Sequence, residues 1–160
     1  MEAAVVVGVA AASLQFLEQG FKFVAIAKRL HRSVTESSPE LAEIRVVDEN
    51  LQDISKHLAA ETAKLTRSDA NKELTVLVGK CLEVSKDIAI LAEKCTPRKP
   101  GFRGILSAAA RTMFEQEKIN NLQGRLSELR SQLNTQLLMS TRQATVSSRF
   151  SDDLGLTVGQ

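Results

Sequence analysis

The side chains that most often carry chemistry are scarce in this 160-residue sequence. It contains two cysteines, Cys81 and Cys95, and two histidines, His31 and His57, and no CxxC or HExxH pattern joins them. A cysteine outside such a pattern is most often a small apolar side chain in a reduced core. We therefore predict no metal site, and we expect both histidines to be surface or boundary residues rather than catalytic bases.

The carboxylates also lack the arrangement of an active site. Asp48, Glu49 and Asp53 fall within one predicted helix, and Lys56 follows Asp53 at a spacing that forms ion pairs on a solvated helix face. The sequence contains no phosphate-binding GxxxxGK[ST] pattern and no GxSxG nucleophile pattern. We predict that the protein is not an enzyme, holds no cofactor and binds no small-molecule substrate.

The composition favours one domain made of helices. Hydrophobic residues make up 43% of the chain and charged residues 25%, with no Trp or Tyr and three Pro. This mixture favours helices packed on helices over sheets. The net charge of +2 is too small to indicate a nucleic-acid partner. Because the basic residues are not interleaved with surface aromatics, we expect no nucleic acid to bind.

Apolar residues recur at steps of three and four through the first part of the chain. This periodicity predicts a first helix over residues 2–33, a second over residues 39 to about 65, and a third from residue 68 or 69 to residue 95. The third helix carries an unbroken heptad seam, the pattern of helices that pack at shallow angles. The seam consists of Leu74, Leu77, Cys81, Val84, Ile88, Leu91 and Cys95.

The segment TPRKPGFRG, with two Pro and two Gly, precedes a long C-terminal helical stretch. An unbroken helix over residues 104–143 would be about 60 Å long, against about 40 Å for the second helix, so we expect a break near Phe114. From Ser147 the periodicity is lost, which predicts a linker or disordered tail over residues 147–160. The predicted fold is all-α, an up-and-down bundle of four or five helices over residues 1–146. The C-terminal seam consists of Ile119, Leu122, Leu126, Leu129, Leu133 and Leu137.

The first predicted helix is more apolar than a bundle requires. Residues 3–17 carry no charge, but they would rise only about 22 Å, less than the roughly 30 Å hydrocarbon core of a bilayer. Extending the span includes Glu18, and Glu2 stands where a signal peptide carries a basic residue. We therefore predict a bundle helix rather than a permanent anchor or a signal peptide. Its predicted core stripe consists of Val6, Ala10, Leu14, Leu17, Phe21, Val24 and Ala27, and its excess apolar surface of Val5, Val7, Val9 and Phe16.

Basic residues collect near the ends of two predicted helices. One group closes the first helix, and a second lies between Lys94 and Phe114, where no acidic residue occurs. The first and third helices of an up-and-down bundle end at the same pole, so both groups should share it. Two interpretations remain open: the cations complement helix C-termini, or they bind anionic lipid headgroups. The headgroup hypothesis uses Lys28, Arg29, Arg32, Arg98, Lys99 and Arg103.

Three segments together resemble one known family. They are MEAAVVVGVAAASLQFLEQGFKFV at the start, CLEVSKDIAILAEK in mid-chain, and EQEKINNLQGRLSELRSQLNTQLL after the basic breaker. The combination resembles the fungal HeLo-like N-terminal domain of STAND receptors, which are NLR-like proteins, over residues 1 to about 143. Similar folds are the HeLo domain of the HET-S type and the four-helix bundle of the necroptosis executor.

The resemblance implies a cell-death effector domain. Such a domain is cytoplasmic at rest, self-associates on activation under an adjoining or partner nucleotide-binding receptor domain, and acts at the plasma membrane. It would bind anionic lipids through the basic pole and permeabilise the membrane with its N-terminal helix. The alternative is a non-lytic interaction or autoinhibitory module in which the first helix stays packed. The expected insertion residues are Val5, Val6, Val7, Val9, Leu14, Phe16, Leu17, Glu18 and Phe21.

Overall fold

The structure of the protein, a computed structural model, describes residues 2–32, 38–65, 69–95 and 102–155, without the side chains at 2, 38, 69–70, 102–114, 143–144 and 147–155. The described residues form four helices: α1 (Glu2–Arg32), α2 (Ser38–Thr62), α3 (Asp69–Cys95) and α4 (Phe102–Gly155). No described residue lies in a strand, so the all-α prediction is confirmed.

Consecutive helices run antiparallel. Near the end of α1, Nη2 of Arg29 lies 3.0 Å from Oε2 of Glu43 near the start of α2. Midway along the bundle, Oγ of Ser55 in α2 lies 2.8 Å from Oγ of Ser85 in α3. Helix α1 contacts each of the other helices, whereas no contact joins α2 and α4 among the described residues. The result is the predicted up-and-down bundle, with α2 and α4 on its long diagonal.

The leucine-rich seams of α3 and α4 supply much of the core. The α3 seam is buried from Leu74 to Cys95, as its heptad spacing predicts. The α4 seam is buried from Ile119 to Leu133, but its last predicted member, Leu137, is exposed. Leu137 is exposed because α3 covers little of α4 beyond this point. Nε2 of the preceding residue, Gln136, contacts the carboxylate of Glu73, and α3 begins only about one turn before Glu73.

Helix α4 is longer than predicted. The expected break near Phe114 and the expected loss of helix from residue 147 are both wrong, since the helix is unbroken from Phe102 to Gly155. The break was inferred from length alone, whereas residues 105–123 contain no Gly or Pro to interrupt the helix. Instead, about 15 residues of α4, a rise of about 22 Å, follow the level at which α3 begins at Asp69. The domain boundary at residue 146 stays a prediction.

The buried face of α1 differs from the predicted stripe. Val9 and Phe16, expected outside the stripe, are fully buried, and Leu14, expected within it, is exposed. Because α1 touches three helices, its buried arc is wider than one stripe and is centred on different residues. The buried residues of α1 are Val9, Ala10, Ala12, Ser13, Phe16, Leu17, Gly20, Phe23, Val24, Ile26 and Ala27.

Gly20 allows α1 and α4 to approach closely. A Cβ at this position would lie 2.8 Å from Cδ2 and 3.2 Å from Cδ1 of Leu126, which is fully buried and has little room to move. Gly79, on the exposed side of α3, has nothing within 4 Å of the corresponding Cβ position. The two glycines therefore separate the effect of backbone propensity from that of packing.

We expect Gly79→Ala to raise the free energy of unfolding by about 0.5–1 kcal/mol, because Ala is the better helix former. Gly20→Ala gains the same propensity but overpacks the core, and should lower the free energy of unfolding by about 1 kcal/mol or more. Urea unfolding measures both. In a Leu126→Ala background the penalty of Gly20→Ala should disappear, and a penalty that persists there would contradict the packing explanation.

Candidate functional site

The outward face of α1 is apolar in its first half. Ala4, Val7, Ala11 and Leu14 are all exposed, with Val7 67% exposed, and they recur at steps of three and four on one side of the helix. We call these four residues the α1 stripe. Together with the buried face behind it, the stripe makes this half of α1 apolar on two opposite sides.

The exposed face of α1 changes character after the stripe. Glu18 is its first charged member, and the same exposed line then continues through Lys22, Ala25, Arg29 and Arg32. One continuous surface along α1 is therefore apolar near the N-terminus and basic near the C-terminus.

The structure does not bring the predicted insertion residues to one surface. Val7, Leu14 and Glu18 are exposed, whereas Val9, Phe16 and Leu17 are part of the core on the opposite side of α1. The remaining three are half-buried: Val5 and Val6 pack against the core, and the ring of Phe21 lies 6.0 Å from the guanidinium carbon of Arg130. Sequence periodicity missed the α1 stripe because it assigned Leu14 to the core and did not place Ala4 and Ala11 on an exposed face with Val7.

The basic residues at the end of α1 are partly engaged. Nζ of Lys28 donates to Oε1 of Gln123 in α4, and Arg29 pairs with Glu43 across 3.0 Å in an exposed position. Arg32 is exposed at the last residue of α1. Of the other predicted headgroup ligands, Arg98 and Lys99 lie outside the described residues, as does the side chain of Arg103.

The α1 stripe and the basic end of α1 lie at opposite poles of the bundle. Val7 precedes Lys28 by 21 residues, which is about 32 Å along the helix. A bundle standing upright on a membrane would therefore present one of the two and not the other. With α1 parallel to the surface, both can contact the same membrane.

By length and composition, residues Ala3–Arg32 are the one stretch among the described helices that could cross a membrane. Core helices of soluble proteins and signal sequences share these properties, so this finding alone identifies neither a span nor a soluble helix.

No protein-family model matches the chain, and no curated protein or solved structure matches it significantly. The HeLo-like resemblance therefore stays a prediction from the quoted segments. The geometry of α1 and its surroundings supplies the independent argument for function.

The two thiols are placed as structural residues. Cys81 and Cys95 are both buried in α3, and burial raises the pKa of Cys81 to about 12. Burial, and then the nearby carboxylate of Glu115, raise the pKa of Cys95 to about 11. Both thiols are therefore protonated and unreactive at neutral pH. They are 14 residues apart on one helix, a rise of about 21 Å, which is too far for a disulfide.

The histidines and carboxylates form no metal site within the part of the chain that the structure describes. His57 is exposed, and His31 is half-buried with no hydrogen-bond partner for Nδ1 among the described residues.

A buried carboxylate lies where α3 ends against α4, and periodicity gave no sign of it. Oε1 of Glu115 lies 3.1 Å from Nζ of Lys94 and 3.1 Å from Nζ of Lys118. Burial by itself raises the pKa of the Glu115 carboxyl, but the hydrogen bonds and charges of the two lysines outweigh it, so the pKa is lowered. This cluster holds two positive charges around one negative charge.

The pKa of Glu115 is lowered on folding, so its ionised form stabilises the protein at pH values above the ordinary pKa of 4.5. This stabilisation is lost as the pH falls through the pKa of Glu115 in the folded protein. We expect the wild-type protein to lose stability below about pH 4.5 more steeply than Glu115→Gln. Urea unfolding at a series of pH values measures this difference. The matched control is Glu117→Gln, which removes an exposed carboxylate two residues away. Equal acid sensitivity of the two variants would contradict the role of Glu115.

Proposed function

We propose that the protein is a membrane-directed effector domain that docks on anionic membranes through the exposed face of α1, self-associates, and permeabilises the bilayer with that helix. The observation that carries the proposal is the α1 stripe: four exposed apolar residues continuing into a basic half on the same face. The resemblance of the sequence to HeLo-like domains points in the same direction.

The size of the stripe sets how strongly one copy would bind. Full burial of a Val or Leu side chain contributes about 1.5–3 kcal/mol, and Val7 and Leu14 are already partly buried. Burying the rest of the stripe in lipid would therefore contribute about 2–3 kcal/mol. A basic residue near an anionic surface adds about 1 kcal/mol. One copy would thus bind weakly, and several linked copies would bind firmly, because their contributions act together.

Insertion of α1 would be a second and larger step. Val9, Phe16, Phe23 and Ile26 of α1 are fully buried, and removing four such side chains from the core costs about 6–12 kcal/mol. That range matches the whole stability of a typical domain, so releasing α1 amounts to opening the bundle. In a bilayer these side chains would regain an apolar environment. The carboxylate of Glu18 would then have to face a water-filled channel inside an oligomer rather than lipid.

The same burial favours a second candidate, a non-lytic interaction or autoinhibitory module. If the bilayer does not offset the loss of the core, α1 stays packed and the protein acts through its surfaces alone. The two candidates differ in whether α1 leaves the bundle, and this difference can be measured.

The docking step predicts that Ala11→Glu weakens binding to vesicles of zwitterionic and anionic phospholipid by about tenfold, because it places a charge in the middle of the stripe. Ala60→Glu is the matched control: it adds the same charge at an exposed alanine of α2, close to the level of α1 where Gly8 faces Glu61. Co-sedimentation and dye release measure binding and permeabilisation. Equal effects of the two variants would mean that net charge, not the stripe, governs binding.

The insertion step predicts that the buried thiols become reactive on the membrane. Cys81 and Cys95 belong to the same core cluster as Phe16 and Phe23, so departure of α1 exposes them. A membrane-impermeant maleimide should label them slowly in solution and at least tenfold faster with leaking vesicles. Unchanged labelling during dye release would contradict release of α1. Unchanged labelling without dye release would favour the non-lytic module.

A further inference from the structure

Helices α1 and α4 meet in one constant antiparallel register. Nζ of Lys28 in α1 contacts Oε1 of Gln123 in α4. One heptad further along both helices, the ring of Phe21 lies 6.0 Å from the guanidinium carbon of Arg130. Because both contacts are separated by the same number of residues on each helix, the two helices stay in step between them.

Exposed leucines of α4 lie at the next level of this register. One more heptad along both helices, Leu14 of the α1 stripe stands at the level of Leu137. Leu14 is 43% exposed and Leu137 37%, and the following residue, Leu138, is 64% exposed. The apolar surface of the α1 stripe therefore continues across the contact between α1 and α4. We call the α1 stripe together with Leu137 and Leu138 the α1–α4 edge.

The hydroxyl groups next to these leucines are satisfied within α4. Oγ1 of Thr141 lies 2.8 Å from the carbonyl oxygen of Leu137, and Oγ of Ser140 lies 2.9 Å from that of Gln136. Such groups lose little when water is removed, because their hydrogen bonds stay inside the helix. Residues 129–151 also contain three arginines and no acidic residue, so this part of α4 does not repel an anionic surface.

The flank of the α1 stripe that faces α2 is different. Oε2 of Glu61 lies 3.6 Å from the position of a Cβ on Gly8, which places this carboxylate beside the first half of α1. Oε1 of Glu61 pairs with Nζ of Lys64 at 2.5 Å, and the side chain of Lys64 is 60% exposed. Withdrawing a hydrated ion pair from water is costly. Lipid therefore meets leucines on the α4 side of the stripe and an ion pair on the α2 side.

We propose that the protein docks on anionic membranes through the α1–α4 edge, with Leu137 and Leu138 of α4 entering the lipid beside Val7 and Leu14 of α1. The bundle then lies on the side formed by α1 and α4, with α2 turned away from the bilayer. The inference deepens the proposed function by naming a second helix in the docking surface, and it rests on that function for the membrane as partner.

The exposed apolar area of the edge suits lipid better than a second protein. A Val or Leu side chain carries roughly 60–120 Å² of apolar surface, so four such side chains, each about half exposed, offer about 120–240 Å². A stable protein–protein interface takes about 800 Å² from each partner. A bilayer sets no such minimum, because each apolar side chain that enters it adds its own share.

Leu138→Glu tests the part played by α4. We expect it to weaken binding of the full chain to vesicles of zwitterionic and anionic phospholipid by about tenfold, because it places a charge where lipid should lie. Val76→Glu is the matched control. Val76 is 59% exposed and lines a cavity with Thr135 and Gln136, on the α3 side of α4. Co-sedimentation measures binding, and equal effects of the two variants would overturn the proposal.

A fluorescent label reports the contact with lipid directly. Leu138→Cys and Val76→Cys each add one exposed thiol, whereas the native Cys81 and Cys95 are buried and protonated in solution. With an environment-sensitive dye attached, emission from residue 138 should shift to shorter wavelength when vesicles are added, and emission from residue 76 should not. A dye at residue 138 that stays in water while the protein is bound overturns the proposal.

The outcomes separate this inference from the proposed function. If Ala11→Glu weakens binding and Leu138→Glu does not, α4 takes no part and docking through α1 stands. If both variants weaken binding but the wild type never releases dye from vesicles, permeabilisation is removed and the α1–α4 edge stands. Wild-type protein that binds no vesicles would overturn both.

Discussion

The burial of one face of α1 against three other helices is the constraint on which the rest of the structure depends. Phe16, Phe23 and Ile26 are fully buried in this contact, and Gly20 brings α1 close to Leu126 of α4. Because so much of the core is built on one helix, α1 cannot move without opening the bundle. Any function of α1 beyond structure must therefore use its outward face first.

A second constraint on the fold is the antiparallel contact between α3 and α4. Four residues of α3 at exact heptad spacing reach polar partners on α4: Glu73 to Gln136, Lys80 to Gln132, Asp87 to Arg125 and Lys94 to Glu115. These pairs lie at the edge of an apolar seam and set the register of the two helices, as charged flanking positions do in coiled coils.

Together these features divide the surface into regions of different character. The outward face of α1 changes from apolar to basic along its length, whereas the exposed charges of α2 and of the contact between α3 and α4 are of both signs and largely paired. Charge placement rather than total charge distinguishes them.

Periodicity and composition determined the all-α bundle, the helix order and the buried seam from Leu74 to Cys95, because a heptad repeat has one low-energy way to hide its apolar side. They did not determine which side of α1 is buried, since that helix is apolar nearly all round and three neighbours, not one, decide it. Val9, Phe16 and Leu14 were misassigned for this reason. The unbroken course of α4 was available from the sequence, because residues 105–123 contain no Gly or Pro, but length alone suggested a break. The tertiary structure alone decided the burial of Glu115 between two lysines and the choice of the α1 residues that face outward. Each depends on where helices from distant parts of the chain meet, and local sequence spacing carries no record of those distances.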